Sequence, residues 1–208
     1  MSNEIILYTN PMSRGRIARW MLEEVGASYR VEVLDYGAAM KSPDYLAINP
    51  MGKVPALCDG DTVVTECAAI CAYLADMYPD AGLAPPLDAR GPYYRWLFFA
   101  AGPLEAAATN KAMGFVPERD AQKMSGYGTF ETTQATLEAA LTGDGFITGE
   151  KFTAADVYIG AHVGWGMQFG SIEKRPAFEA YWARVTDRDA YRRATELDDA
   201  LMAEHPIE

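Results

Sequence analysis

Asn49-Pro50-Met51-Gly52-Lys53-Val54-Pro55-Ala56-Leu57-Cys58, followed by Asp59-Gly60-Asp61 and Thr62-Val63-Val64-Thr65-Glu66-Cys67, is the stretch around which the chain is arranged. Asn49 to Gly52 read as a loop, and Val54 to Cys58 as a short apolar strand. Asp59-Gly60 is a hairpin turn signal and Thr62 to Val64 the return strand. Thr65 stands at a helix N-cap position for the run that begins at Glu66. Pro55 cannot donate to a sheet ladder, so it belongs at an edge or at a strand's first residue. The backbone of Val54 is then left to face something other than a neighbouring strand. The helix that follows opens with unpaired N–H groups that favour an anion. Such an arrangement suits a small peptide carrying a carboxylate; a proline that merely starts a strand fits the same residues.

Working outward, Glu4 to Tyr8 reads as a buried strand and Thr9 to Ser13 as a turn. Arg14 to Val25 has helical period, with Ile17, Trp20, Met21 and Val25 on one side, and Gly26 stops it. Tyr29 to Leu34 alternates at period two and is a second strand. A polar stretch, Asp35 to Ser42, precedes a short helical segment at Asp44 to Ala47, and a longer helix runs from Glu66 to about Met77. Tyr78 to Pro86, rich in proline and glycine, is the clearest linker. After it the strand signals vanish. Asp88 to Met113 reads as a long helix kinked near Gly102-Pro103, and Glu118 to Leu141 as the next. Phe146 to Gly149 is a tight turn. Thr153 and Asp156 form a capping-box pattern, flanked by Phe152 and Val157 at staple positions, for a helix that continues to about Phe169. Two more helices follow Pro176 and Asp187, and the tail from Glu204 is expected to be loose.

Composition bounds the function. The chain has 208 residues, 50% hydrophobic and 23% charged, enough to bury a core. A formal net charge of −11 argues against nucleic acid or an anionic membrane as partner. No apolar run approaches the roughly 20 residues of a transmembrane helix, and the first residues lack the character of a signal peptide. With 3 Cys there is no disulfide framework. A soluble protein of a reducing compartment, hence cytoplasmic, is expected.

Asn49-Pro50-x-Gly52-Lys53-Val54-Pro55 followed by Thr65-Glu66-Cys67 resembles the glutathione-binding half of a cytosolic glutathione S-transferase of bacterial type. The order β-α-β-α-β-β-α and the capping box extend the resemblance over nearly the whole chain. It implies a thioredoxin-like α/β domain over residues 1–80 and an all-α helical-bundle domain over 87–208. It implies a cis Pro55, with the backbone of Val54 pairing with the cysteinyl part of glutathione. Glu66 and Cys67 would hold the γ-glutamyl end. The usual neighbour is serine; the Cys67 thiol is a weaker donor, although its backbone N–H can serve. Lys41 and Lys53 stand where the family often places basic residues, and would meet the carboxylates of glutathione. A small hydrophobic electrophile is expected between the domains, lined by Glu105, Ala108, Thr109 and Trp165, with Trp165 equally fit for a core position. The family is dimeric. The wide aromatic cluster Tyr93, Tyr94, Trp96, Phe98 and Phe99 suits a core plus a subunit interface, so a homodimer is expected. Glutathione is a co-substrate; no tightly bound cofactor and no metal are implied.

Ser13 is the main catalytic candidate. A hydroxyl at the start of the first helix can donate to a thiolate, and the helix N-terminus acts in the same direction. The same residue also suits a plain N-cap. Tyr8, Thr9, Asn10 and Arg14 are the alternatives for activating the thiol, Tyr8 being better placed for core packing. No cysteine lies between Pro11 and Arg16, which counts against disulfide exchange at this helix start. Cys67 and Cys71, one turn apart, lack a nearby histidine, since His162 and His205 are distant in sequence; Cys58 reads as core strand. Asp156 reads as structural. The expected reaction is conjugation of glutathione, for detoxification. The alternatives are glutathione-dependent isomerisation, dehalogenation or peroxide reduction on the same fold, or a non-catalytic interaction module.

Overall fold

The computed structural model describes residues 4–204. Contacts divide the chain into two units, Met1–Leu83 with Asp187–Glu208, and Ala84–Thr186. Among the described residues no helix is long and apolar enough to cross a membrane.

The first unit is built on β1 (Ile5–Thr9), β2 (Tyr29–Val33), β3 (Ala56–Asp59) and β4 (Thr62–Thr65), in the sheet order β2-β1-β3-β4. β1 runs parallel to β2 and antiparallel to β3, which in turn is antiparallel to β4. Helix α1 (Gly15–Val25) buries Ile17, Ala18, Met21, Leu22 and Val25, the periodic apolar set, and ends where Gly26 turns left-handed at φ 66°. The short helix α2 (Pro43–Ile48) has Ser42 as its N-cap, the hydroxyl accepting from the Tyr45 N–H at 3.3 Å. Helix α3 (Cys67–Met77) packs on α1 through an apolar face that includes Ile70, Cys71 and Leu74.

Two boundaries differ from the sequence expectation. β3 begins at Ala56 rather than Val54, because its partner strand β1 offers Tyr8 opposite Ala56 as the last pair. Thr65 is the last residue of β4, and Glu66 takes the N-cap place of α3 without a side-chain capping bond.

The last helix, α9 (Asp189–Glu204), packs on α1 within this unit. The expected division, 1–80 and 87–208, grouped it with the helical domain. Four ion pairs line the seam with α1: Arg16–Asp199, Arg19–Asp198 and Glu23–Arg193 along the helix, and Glu24–Arg188 from the residue just before it. The residue numbers fall on one helix as they rise on the other, so the helices run antiparallel. Trp20 meets Tyr191 edge-on at 4.9 Å in the middle of the seam, and its indole N–H donates to Glu24 at 2.9 Å. Arg19 and Asp198 are 3% and 1% exposed. Burial there pushes the Asp198 carboxyl up despite the guanidinium beside it. A pair so deeply buried adds little net stability, but losing one member leaves a stranded charge.

The second unit is all helix: α4 (Arg90–Phe99), α5 (Glu105–Ala112), α6 (Phe130–Leu141), α7 (Ala154–Phe169) and α8 (Pro176–Thr186). Between α4 and α5 the chain widens into a π-helical turn, Ala100–Leu104, that holds Pro103. Proline has no N–H to give and crowds the preceding turn, so the expected interruption takes this form. α6 starts at Phe130, not Glu118 as expected, with the Thr129 hydroxyl accepting from the Thr132 N–H at 3.1 Å. Residues 118–125 form only a 3-10 turn at Ala121–Lys123. They offer almost no apolar face, Met124 being 91% exposed, and without a face to bury a helix is not held. The looseness expected beyond Glu204 lies outside the described residues.

The capping box at the start of α7 is formed, and most of that helix is buried. Asp156 accepts from the N–H of Ile147 (2.7 Å) and of Thr153 (2.8 Å), and from the hydroxyls of Thr153 (2.9 Å) and Tyr181 (2.8 Å). Burial pushes its carboxyl up, and these four donors oppose that rise. Asp156→Ala leaves several buried donors unpaired and is expected to cost about 3 kcal/mol or more. The measurement is the shift in urea midpoint at constant m value.

Candidate functional site

Pairing register brings four segments to one end of the sheet. Tyr8 of β1 lies opposite Ala56 of β3, and Ala56 opposite Thr65 of β4. Beyond that row come the Thr9–Ser13 turn, Val54-Pro55 and Glu66. On the other side Thr9 pairs with Val33, and the Leu34 N–H donates to the Thr9 carbonyl at 2.8 Å, so the segment leading to Lys41 leaves from the same end. Helices α1 and α3 both start there, with no acidic residue in the first turn of either. The positive ends of their dipoles favour negative charge at this spot.

The turn after β1 is tightly specified. Asn10 is buried; its Nδ2 donates to the Leu34 carbonyl (2.9 Å) and its Oδ1 accepts from the Met12 N–H (2.9 Å). The Ser13 hydroxyl, half-buried, donates to the Asn10 carbonyl (2.7 Å) and accepts from the Gly15 N–H (2.9 Å). Ser13 thus caps the helix start, one residue before the N-cap position held by Arg14. Gly15 has to be glycine, because a methyl group there would overlap the Thr9 hydroxyl. Of the alternative activators, Thr9 is fully buried against Gly15, and both ends of the Asn10 amide are engaged with backbone. Tyr8 sits within β1, its ring 5.6 Å from that of Tyr45, and burial pushes its phenol up. Arg14 is exposed beside Ser13.

Around Pro55 the backbone is held from several sides. The Val54-Pro55 peptide is cis. The Lys53 carbonyl accepts from the Tyr45 hydroxyl (2.6 Å) and from Asn49 Nδ2 (2.8 Å), and Asn49 Oδ1 accepts from the Met51 N–H (3.1 Å). Burial pushes the Tyr45 phenol up to about 12, so this donor keeps its proton. Lys41 Nζ donates to the carbonyls of Met51 (2.9 Å) and Gly52 (3.1 Å). Gly52, at φ 56°, could carry no side chain between that ammonium and the Met40 carbonyl. Lys41 is therefore tied to the loop, while Lys53 is exposed.

Glu66 stands at φ 66° and ψ 115°, a conformation that costs a non-glycine residue about 1–3 kcal/mol. Its side chain is exposed. The Cys67 thiol donates to the Arg14 carbonyl at 3.5 Å, tying the start of α3 to the start of α1. Cys67 and Cys71 are free thiols; a hydrogen bond between them, then burial, pushes the Cys71 thiol well up. Cys58 is half-buried in β3, and burial raises its thiol as well. Among the described residues no group of three or more His, Cys, Asp or Glu is placed to hold a metal ion.

In the second unit Glu105 and Ala108 lie one turn apart on α5, both partly exposed, and the exposed Thr109 donates to Glu105 at 3.4 Å. Trp165 is half-buried on α7. Glu105 Oε2 lies 3.7 Å from His162 Nδ1, one turn before Trp165, and the imidazole sits edge-on to Tyr158 at 4.7 Å. His162 enters the sequence argument only as a distant metal ligand. Its spacing of three from Trp165 was the signal that places it on the same face. Asn49 and Tyr45, which clamp the loop, were likewise not singled out; an asparagine leading into Pro-x-Gly is a turn residue whose side chain bonds forward along its own backbone.

A family model for the N-terminal domain of glutathione S-transferases matches residues 3–76. Glutathione S-transferase GstA of Escherichia coli O157:H7 is 33% identical over 165 residues, covering 77% of this chain and 78% of that one. Glutathione S-transferase GST-4.5 of Xanthomonas campestris pv. campestris is 30% identical over 190 residues, covering 86% and 91%. A sphingomonad glutathione S-transferase, solved in complex with glutathione, matches with a TM-score of 0.75 at 28% identity, over 93% of this chain and 98% of that one. Sequence identity over most of both lengths and a shared architecture agree, and the chain belongs to the cytosolic glutathione S-transferase family.

Proposed function

We propose that this protein is a glutathione transferase in which Ser13 stabilises the thiolate of bound glutathione for attack on a small hydrophobic electrophile. The observation that carries the reading is the convergence of Ser13, Val54-Pro55 and Glu66-Cys67 at one sheet end, under two helix N-termini. Val54 lies beyond the last β1–β3 pair, so β1 does not take up its backbone, which in this reading pairs with the cysteinyl residue. Glu66 and the N–H of Cys67 take the γ-glutamyl end. The Cys67 thiol points its proton at Arg14 instead, so the backbone supplies the donor that serine usually shares. Lys53 and Lys41 offset the carboxylates; Lys41 does so while holding the loop.

Thiolate stabilisation needs the Ser13 proton to leave the Asn10 carbonyl. That bond is between neutral groups and worth about 1 kcal/mol, whereas one to a thiolate is charge-assisted and worth about 1.5–3 kcal/mol. The exchange is favourable, and the Gly15 N–H keeps the oxygen oriented meanwhile. The thiolate then forms a C–S bond as a halide departs or an epoxide ring opens; the protein contributes orientation and a lowered thiol pKa. Glu105, Ala108 and Trp165 contact the electrophile in this reading. The protein works as a cytoplasmic homodimer in detoxification, with no resident cofactor. The dimer is supported by the aromatic cluster, which splits into buried Tyr93 and Trp96 and exposed Tyr94 and Phe98, four residues apart on one face.

Ser13→Ala is expected to raise the pKa of bound glutathione and to lower kcat/KM by about 10- to 100-fold. The ultraviolet thiolate absorbance as a function of pH reads the first effect and turnover of an aryl halide the second. Equal ionisation in both proteins places the activating group elsewhere. No binding of glutathione by the unmodified protein leaves the interaction-module reading. Phe98→Glu is expected to yield a monomer by sedimentation while the fold is retained by circular dichroism.

A further inference from the structure

We propose that Asp199, on the last helix, is a positioning residue for the Ser13 turn and acts through Arg16; this rests on the role given to Ser13 above. Of the four ion pairs that α1 makes with α9 and with Arg188 just before it, one reaches back past the start of α1. Arg16 Nη2 donates to Asp199 Oδ1 at 2.8 Å and contacts Met202 Sδ at 2.7 Å. The Nε of the same guanidinium donates to the Pro11 carbonyl at 2.5 Å. A guanidinium is planar and its donors form a fixed fork, so aiming one edge at Asp199 aims Nε.

The Pro11 carbonyl is well chosen for control of Ser13. The proline ring fixes φ, so the peptide planes on either side of Pro11 turn relative to each other about ψ alone. The plane before it carries the Asn10 carbonyl. That carbonyl accepts both the Ser13 N–H (2.9 Å) and the Ser13 hydroxyl (2.7 Å). Holding the Pro11 carbonyl therefore sets the acceptor that the Ser13 proton must leave when it turns to a thiolate. Stability does not explain the Arg16–Asp199 pair. Asp199 is 62% exposed, and pairs so exposed add little to stability. The other three pairs lie further along α1, two reaching α9 and one reaching Arg188 before it, and none is made by a residue of the turn.

The test compares Asp199→Asn with Arg193→Gln, which cuts the seam at Glu23 instead. In the free protein, Asp199→Asn is expected to speed amide exchange at Ser13 and Gly15 by about three- to tenfold, the loss of one hydrogen bond's restraint, while Arg193→Gln leaves it unchanged. With glutathione bound, Asp199→Asn is expected to raise the thiol pKa and lower kcat below neutral pH at an unchanged glutathione KM. Asp199→Glu is expected to restore both. Unchanged exchange in Asp199→Asn, or an equal rise in Arg193→Gln, overturns the proposal. Faster exchange with unaltered thiol ionisation upholds the positioning of the turn and overturns the thiolate role of Ser13 instead, so the two ideas fail separately.

Discussion

The row Tyr8–Ala56–Thr65 is the constraint on which the site depends. In a sheet the side-chain period is two, and β3 buries Ala56 on one face and Leu57 on the other, so a slip of one residue would exchange a small and a large side chain between two filled faces. Leu57, fully buried, makes that slip costly. Register in turn decides that the turn after β1, the start of β3 and the end of β4 reach the same level. Chemistry that looks assembled from four distant parts of the chain is thus a by-product of ordinary strand pairing. The cluster of Met40, Tyr45 and Ala56, with Tyr8, Leu34, Ile48 and Val54 packed around it, closes the space beneath.

Electrostatics resolves an apparent contradiction between an acidic chain and an anionic ligand. The net charge of −11 is a property of the whole surface, while the sheet end is served by two helix N-termini and, in the function proposed, by Lys41 and Lys53. Long-range repulsion is screened beyond a Debye length of about 8 Å at physiological salt, whereas N–H groups in contact with a carboxylate are not. Local dipoles therefore outweigh the global charge for a bound peptide.

Much of this was legible in the sequence, and the failures have a common cause. The hairpin, the α1 stop at Gly26 and the capping box at Thr153 rest on neighbours within a few residues, and each lies where the pattern places it. The start of α6 was misplaced because a helix-compatible composition from Glu118 says nothing about whether a face exists to bury it. Glu66 takes the cap place of Thr65 through a backbone conformation that propensity disfavours, the kind of local violation that tends to occur where function sits. At the site, Ser13 and Glu66 were visible as residue types in suggestive places. The Asn10 and Pro11 carbonyls that hold the Ser13 turn were not, since main-chain acceptors leave no mark in the residue type. The seam between α1 and α9 was invisible for a different reason. Its partners are 164 to 183 residues apart, and charged residues spaced along a helix look the same whether they meet solvent or one another.

That seam has a consequence for biosynthesis. The sheet, α1 and α3 are translated first, yet the carboxylate that matches buried Arg19 arrives only with Asp198. At about 5–20 residues per second, the ribosome needs about 6 to 23 seconds after Leu83 to deliver it. Through that interval Arg16, Arg19, Glu23 and Glu24 of the nascent amino-terminal unit lack the partners that the last segment brings, and burial of Arg19 has to wait for its carboxylate. The part of the protein made earliest is completed last, and vectorial folding of this chain ends where it began.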